Sequence, residues 1–426
     1  MRMTDLPTEL SILIATFLQK ERDINNLTQV NKKLYYDLNW YLYKHNYLHG
    51  NSSALRWAAK YGEKSTAVMS MRERASITSI DKYNMTPLSW AAAGGHIAIV
   101  ELLLKSAGVI CADDEAANGN SIIEKPPPIG DSFTSLNMEY YHDTKQLWKK
   151  LACKLSTATR RVPEFNLNCR DHLNQTPLSL AAAGGHYAVV AVLLNIAEVE
   201  IDSRDDNGRT PLWRAASVGS VQVAKLLLET GKVDPDCRDS YNETPLQQAV
   251  IYGHEEVVRL LLKTGVVDLH GRDRFGRTLL HLAIIQRHEA VANVLIETKN
   301  FDLNSKDHWG QTPLRLAAAH RCGATVRLLL DTDSVDVNCA DYQGRTPLSL
   351  AAGNGYETIT RLLIEKDETE LNSKDRLDQT SLWWAATQGH ASIVKLLLET
   401  PGIDSECIDI DEIWDLDTLK ANSLED

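Results

Sequence analysis

Apolar and polar positions in this chain recur in blocks. From Thr176 onward a threonine returns every 34 residues, at Thr210, Thr244, Thr278, Thr312, Thr346 and Thr380. Each opens the same pattern: a short stretch with Leu two positions on and small residues behind it, a Gly-bearing break, then a stretch rich in Val and Leu. The blocks QTPLSLAAAGGHYAVVAVLL, RTPLWRAASVGSVQVAKLLL and ETPLQQAVIYGHEEVVRLLL show it in succession. Thr86 begins a further copy, and Ser53 opens a worn one, SALRWAAKYGEKSTAVMSM, which makes nine units. Thr is a favourable N-cap, and Pro at the first helical position lacks only an N–H that has no partner there. Gly suits a left-handed residue that closes a helix. Each unit therefore predicts a helical hairpin, followed by an extended turn such as Val233-Asp234 to Asp239. The class expected is all-α.

A period of 34 also fits tetratricopeptide repeats, so the motif has to decide. TPLxxAAxxGHxxVVxLLL resembles the ankyrin repeat over about 53–409, apart from one insertion. The resemblance implies an ankyrin-repeat solenoid, a quasi-one-dimensional stack that binds partners along a concave face and projecting fingers.

Repeat phase also accounts for the residues of chemically reactive type. Cys169, Cys237, Cys339 and Cys407 share one phase, and Ser203, Gly271, Ser305 and Ser373 take it elsewhere. That position needs a small side chain, and a free Cys behaves as a small hydrophobe. His96, His186, His254 and His390 share another phase, where turn-stabilising hydrogen bonds are expected rather than a metal. Seven cysteines without a C-x-x-C pair argue against a disulfide framework or a zinc ribbon.

Two segments leave the period. Between Thr86 and Thr176 there are 56 extra residues, placed at 107–162. The first part is acidic and carries Pro126-Pro127-Pro128. The second has Leu147, Leu151 and Leu155 at helical spacing, which reads as a degenerate tenth unit or as a docking segment. Residues 1–48 are different again. Leu10, Leu13, Ile14, Phe17 and Leu18 form a wide apolar stripe behind Pro7, and shorter helices are expected around Leu27 and Val30 and around Leu34 to Leu42.

This head resembles an F-box through Leu6-Pro7, Glu9-Leu10, Ile14, Phe17-Leu18, Leu27, Val30, Leu34 and Leu38. It carries Asn31-Lys32-Lys33-Leu34-Tyr35 where many F-boxes have Cys-Arg-Trp. The whole arrangement is similar to fungal proteins that join an F-box-like head to an ankyrin array. That resemblance implies a substrate receptor of an SCF-type (cullin–RING) ubiquitin ligase. Leu6, Pro7, Leu10, Ile14, Leu27 and Val30 would then meet the linker subunit. The other reading of 1–48 is a helical cap on the solenoid, with the array acting as a scaffold or regulator outside any ligase. The organisation expected is a head at 1–48, repeats at 49–106 and 163–403 around the 107–162 insertion, and an acidic cap or tail at 404–426.

Composition narrows the function. The net charge is −12, from 45 basic and 57 acidic residues, so a general nucleic-acid-binding role is not expected. No run of 18 apolar residues exists, and the N-terminus lacks a signal-like apolar stretch. A cytoplasmic or nuclear, monomeric protein is expected. No Walker A loop, H-E-x-x-H, G-x-S-x-G or G-x-G-x-x-G occurs. The recurrent acids Asp205, Asp239, Asp273, Asp307 and Asp341 follow the repeat. No cofactor, metal or catalytic residue is expected.

The candidate binding residues sit on the fingers and the first helices. Tyr241, Phe275, Trp309 and Tyr342 fall on four successive turn tips, with Tyr252 and Ile285 at first-helix ends nearby. Aromatic side chains there read either as contacts for a target protein or as packing between neighbouring fingers. Arg274 and Arg277 belong to a tip set that leans positive, which would complement an acidic, partly apolar peptide. Arg287 and Arg321 replace the Gly expected in the turn. The tail beyond Asp409 carries Ile413, Trp414, Leu416 and Leu419 among acids, and would cap the last unit or compete for the finger tips.

Overall fold

The computed structural model describes residues 52–110, 162 and 164–405. The expectations for Leu6, Pro7, Leu10, Ile14, Leu27 and Val30, for the Leu147–Leu155 stretch and for the tail around Trp414 lie outside the described residues.

Eighteen helices and no strand are present among the described residues. They form nine pairs. The first four are α1 (Ser53–Tyr61) with α2 (Lys64–Arg72), α3 (Pro87–Ala93) with α4 (Ile97–Ser106), α5 (Pro177–Ala183) with α6 (Tyr187–Leu194), and α7 (Pro211–Ser217) with α8 (Val221–Glu229). Next come α9 (Pro245–Ile251) with α10 (Glu255–Leu262), α11 (Leu279–Ile285) with α12 (Glu289–Glu297), and α13 (Pro313–Ala319) with α14 (Gly323–Leu330). The last two are α15 (Pro347–Gly353) with α16 (Glu357–Ile364) and α17 (Ser381–Thr387) with α18 (Ala391–Leu398). The first helix of a pair is called inner below.

The inner helices start as the sequence requires. The Thr244 hydroxyl accepts the Gln247 N–H at 3.2 Å while Gln247 reaches back to the Thr244 N–H, and the hydroxyls of Thr86, Thr312, Thr346 and Thr380 likewise accept the N–H three residues on. Each inner helix has only seven or nine residues and is too short to persist alone in water. Burial holds it: the alanines at its centre and the Leu after each Pro are fully covered, as Leu246 and Ala249 show. Small residues here let consecutive inner helices approach closely.

The chain forms two compact units, one reaching Arg214 and including 229–233, the other comprising 215–228 and the residues from Asp234 onward. In the first unit α1 packs on α2 and α3, and α3 packs on α4 and α5. The first helices of the Thr86 and Thr176 repeats thus pack directly on each other. Val162 N–H donates to Ala107 O at 3.1 Å, so the insertion leaves and returns at one place. In the second unit each inner helix from α9 to α15 packs on its own mate and on the next inner helix.

Three recurrent polar links tie one repeat to the next. The phase-locked histidines reach back one repeat: Nε2–H of His186 donates to Ala93 O, that of His254 to Ser217 O, that of His288 to Ile251 O and that of His390 to Gly353 O, all at 3.0–3.1 Å. They stabilise the junction rather than only their own turn. The small-side-chain position touches the preceding cap: Ser203 lies 3.0 Å from the Thr176 hydroxyl, and Cys339 packs on that of Thr312. Finally, Asn304 donates to Ser334 O and accepts from Asp336 N–H, and Asn338 and Asn372 repeat this with the units that follow.

Candidate protein-binding site

The fingers of the second unit are built on one carboxylate each. Asp239 Oδ1 accepts the N–H groups of Tyr241 and Glu243, both at 2.9 Å. Asp273, Asp307, Asp341 and Asp375 do the same two and four residues on. The periodic acids are therefore structural, and each fixes a tip. Tips are also linked to one another: His308 N–H donates to Phe275 O at 3.0 Å, Tyr342 N–H to Trp309 O at 3.3 Å, and Arg376 N–H to Gln343 O at 3.0 Å.

The tip aromatics do not share one register. Tyr241, Phe275 and Trp309 stand two residues after their Asp, but Tyr342 stands one after, and Gln343 takes the equivalent place. The Tyr342 ring instead lies over Gly310, where an added Cβ would come within 2.9 Å of it. Phe275 is half-buried, its ring 5.5 Å from that of Trp309, and the Arg277 guanidinium stacks on both at 4.8 and 5.0 Å. Arg274 covers the Phe275 ring at 4.7 Å. Phe275 therefore serves finger-to-finger packing, as one of the two readings expected. The other three tip aromatics remain open to solvent: Tyr241 at 68 %, Tyr342 at 59 % and Trp309 at 43 %. Tyr252, at the end of α9, is 56 % exposed, and Ile285, ending α11, is half-buried.

Behind the tips runs a buried polar layer that the sequence reading missed. Arg315 on α13 is 4 % exposed and pairs with Asp341 of the next finger, which Arg345 also holds at 3.0 Å. Burial lowers the Arg315 pKa, and the Asp341 charge opposes that. Burial works against the Asp341 carboxylate too, yet the Arg345 N–H, the Arg315 charge and the Gln343 N–H together hold its pKa below the ordinary value. Asp307 Oδ2 is buried without a hydrogen-bond partner, because Leu316 stands where Trp90, Arg214 and Trp384 meet the corresponding carboxylates of Asp81, Asp205 and Asp375. The signal was present: Arg315 occupies the position three after the cap Thr that His281 fills with a bond to Gln311 O. A small open cleft lies between α15 and α17, bounded by Gly353, Asn354, Trp384, Gln388 and Arg345.

Among the described residues no group of three or more His, Cys, Asp or Glu side chains could hold a metal ion, and no helix is long and apolar enough to cross a membrane. What the surface offers is a set of exposed aromatic and cationic side chains on a hydrogen-bonded frame. Such a surface suits recognition of another macromolecule.

Comparison with known families agrees. A profile described as "Ankyrin repeats (3 copies)" matches residues 147–239, 230–307, 299–375 and 336–409, more than half of the chain. The chain belongs to the ankyrin-repeat family. A single "Ankyrin repeat" profile also matches 83–115. Among solved structures the chain is similar to the human ASB11 ankyrin repeat domain, at 24 % identity and a TM-score of 0.47, over 54 % of this chain and 100 % of that one. Comparison with curated proteins gives no match. As an ankyrin-repeat protein the chain is a protein–protein interaction module, and its partner is a protein.

Proposed function

We propose that this ankyrin protein is the target-recognition subunit of an SCF-type ubiquitin ligase. The finger tips and inner helices of the second unit hold the target, and the F-box-like head at 1–48 engages the linker subunit. The observation behind the target-binding half is the exposure of Tyr241, Trp309, Tyr342 and Tyr252 on carboxylate-braced fingers and adjoining inner-helix ends. Rigid aromatic side chains lose little entropy on binding and dominate many interfaces. The ligase half is supported by the Leu6-Pro7 to Leu38 pattern alone.

Affinity purification of the full chain tests both halves separately. Wild type should bring down the linker and cullin subunits together with the target. Ile14→Asp should lose the ligase subunits and keep the target, whereas Trp309→Ala should keep the ligase subunits and weaken the target by about 2 kcal/mol. Equal recovery of the linker with Ile14→Asp would make the head a solenoid cap and the protein a scaffold.

A further inference from the structure

In the turn after each inner helix the backbone enters the left-handed region. Gly fills that place in seven repeats, from Gly62 to Gly389, but Arg287 and Arg321 fill it in two adjacent ones, at φ 60° and 63°. A side chain there costs about 1 kcal/mol relative to Gly. A cation just beyond a helix C-terminus recovers part of that. The same recovery is open to every turn in the stack, yet only these two neighbours carry Arg.

Both side chains are exposed, and neither forms an ion pair with an acid among the described residues. The Arg321 guanidinium lies 5.9 Å from the Tyr356 ring. His320, the residue before Arg321, closes α13. Its pKa is lowered by partial burial and then by the charges of Arg287 and Arg315. Glu289, an acid of the same turn, is turned towards the start of α14, where it accepts the Ala324 N–H at 3.0 Å. At the other end of the same inner helices stand Arg274 and Arg277 on their finger.

We propose that Arg287 and Arg321, with His320 beside Arg321, form an anion-binding subsite for a carboxylate-rich segment of the target protein. The planar guanidinium fork matches a carboxylate in two parallel hydrogen bonds. A seven-residue inner helix is about 10 Å long, and an extended segment crosses that in about three residues. Acids spaced three or four apart therefore reach the turn arginines and the finger arginines at once. The inference rests on the target-binding reading above and specifies the chemistry of its partner.

The test is selection of random displayed peptides on the full chain, followed by affinity measurement on variants. Acid-rich peptides should be enriched. Arg287→Gly with Arg321→Gly should raise the thermal midpoint and weaken those peptides about tenfold or more, the scale of losing a charge-assisted contact. Arg287→Gln with Arg321→Gln keeps the backbone strain, and should weaken binding equally without the gain in midpoint. Selected peptides with no acid preference, or acid-rich peptides bound equally by both double variants, would overturn the subsite. If such peptides still lose affinity on Trp309→Ala, the target-binding reading stands and the anion subsite alone fails. Binders sensitive to none of these changes would overturn both.

Discussion

Gly253→Ala isolates one junction of the stack. Gly253 has φ +74°, and a Cβ added there would lie 2.6 Å from Nδ1 of His288 and 2.8 Å from its Cγ. Two costs follow. An Ala residue in the left-handed region loses about 1 kcal/mol or slightly more relative to Gly. The His288 ring, which is seated over the glycine, must also move, and it then gives up its 3.0 Å bond to Ile251 O. A hydrogen bond of this kind contributes about 1 kcal/mol net, and the Ile251 carbonyl left without its partner adds a further penalty. Together the substitution should destabilise the protein by about 2–3 kcal/mol. Urea unfolding of the full chain followed by circular dichroism measures it, and a double-mutant cycle divides it. In a His288→Ala background the same Gly253→Ala change should cost only the backbone share, about 1 kcal/mol. An equal cost in both backgrounds would refute the idea that the histidine is packed on the glycine.

Leu261 on α10 is fully buried, so Leu261→Ala should cost about 2–5 kcal/mol in the same assay, and an unchanged midpoint would refute the helical phase. Asp341 has a lowered pKa, so its contribution is complete above the unfolded value near ~4 and is lost as pH falls through the folded one. Asp341→Asn should therefore narrow its stability gap from wild type as pH drops below that range, and a gap constant across the acid limb would contradict it.

The helical pairs were legible because their causes are local. The cap Thr, the Pro behind it and the turn Gly each act within a few residues, and their recurrence every 34 positions repeats the same information. The candidate site was legible only in part. Tyr342 already stands one place off the 34-residue spacing of Tyr241, Phe275 and Trp309, but only the structure shows its N–H bonded to Trp309 O and its ring laid over Gly310. Phe275 was half-spent on packing because Arg277 and Trp309 close over it, a three-body arrangement that no spacing rule contains. Nothing within its own repeat marks Arg315 as buried, and only the next finger's Asp341 shows why it is. His288 escaped notice because its preceding residue is Arg287 rather than Gly, although it makes the same link as the other histidines.

The asparagine links make the seams of the stack unequal. Asn304, Asn338 and Asn372 each give their neighbour both a donor and an acceptor. At the same phase Asp236 offers only the accepting half, to Asp268 N–H at 3.1 Å, and His270 replaces the amide altogether. Pulled from its ends, a chain of nearest-neighbour springs parts first at its softest joint. At the Asp236 and His270 seams an arginine makes the link instead, Arg238 to Asp268 at 2.8 Å and Arg272 to Lys306 O at 2.9 Å. The softest joint should therefore depend on salt: screening loosens the Arg238–Asp268 seam, while the last three repeats, held by amides, come away together as one block.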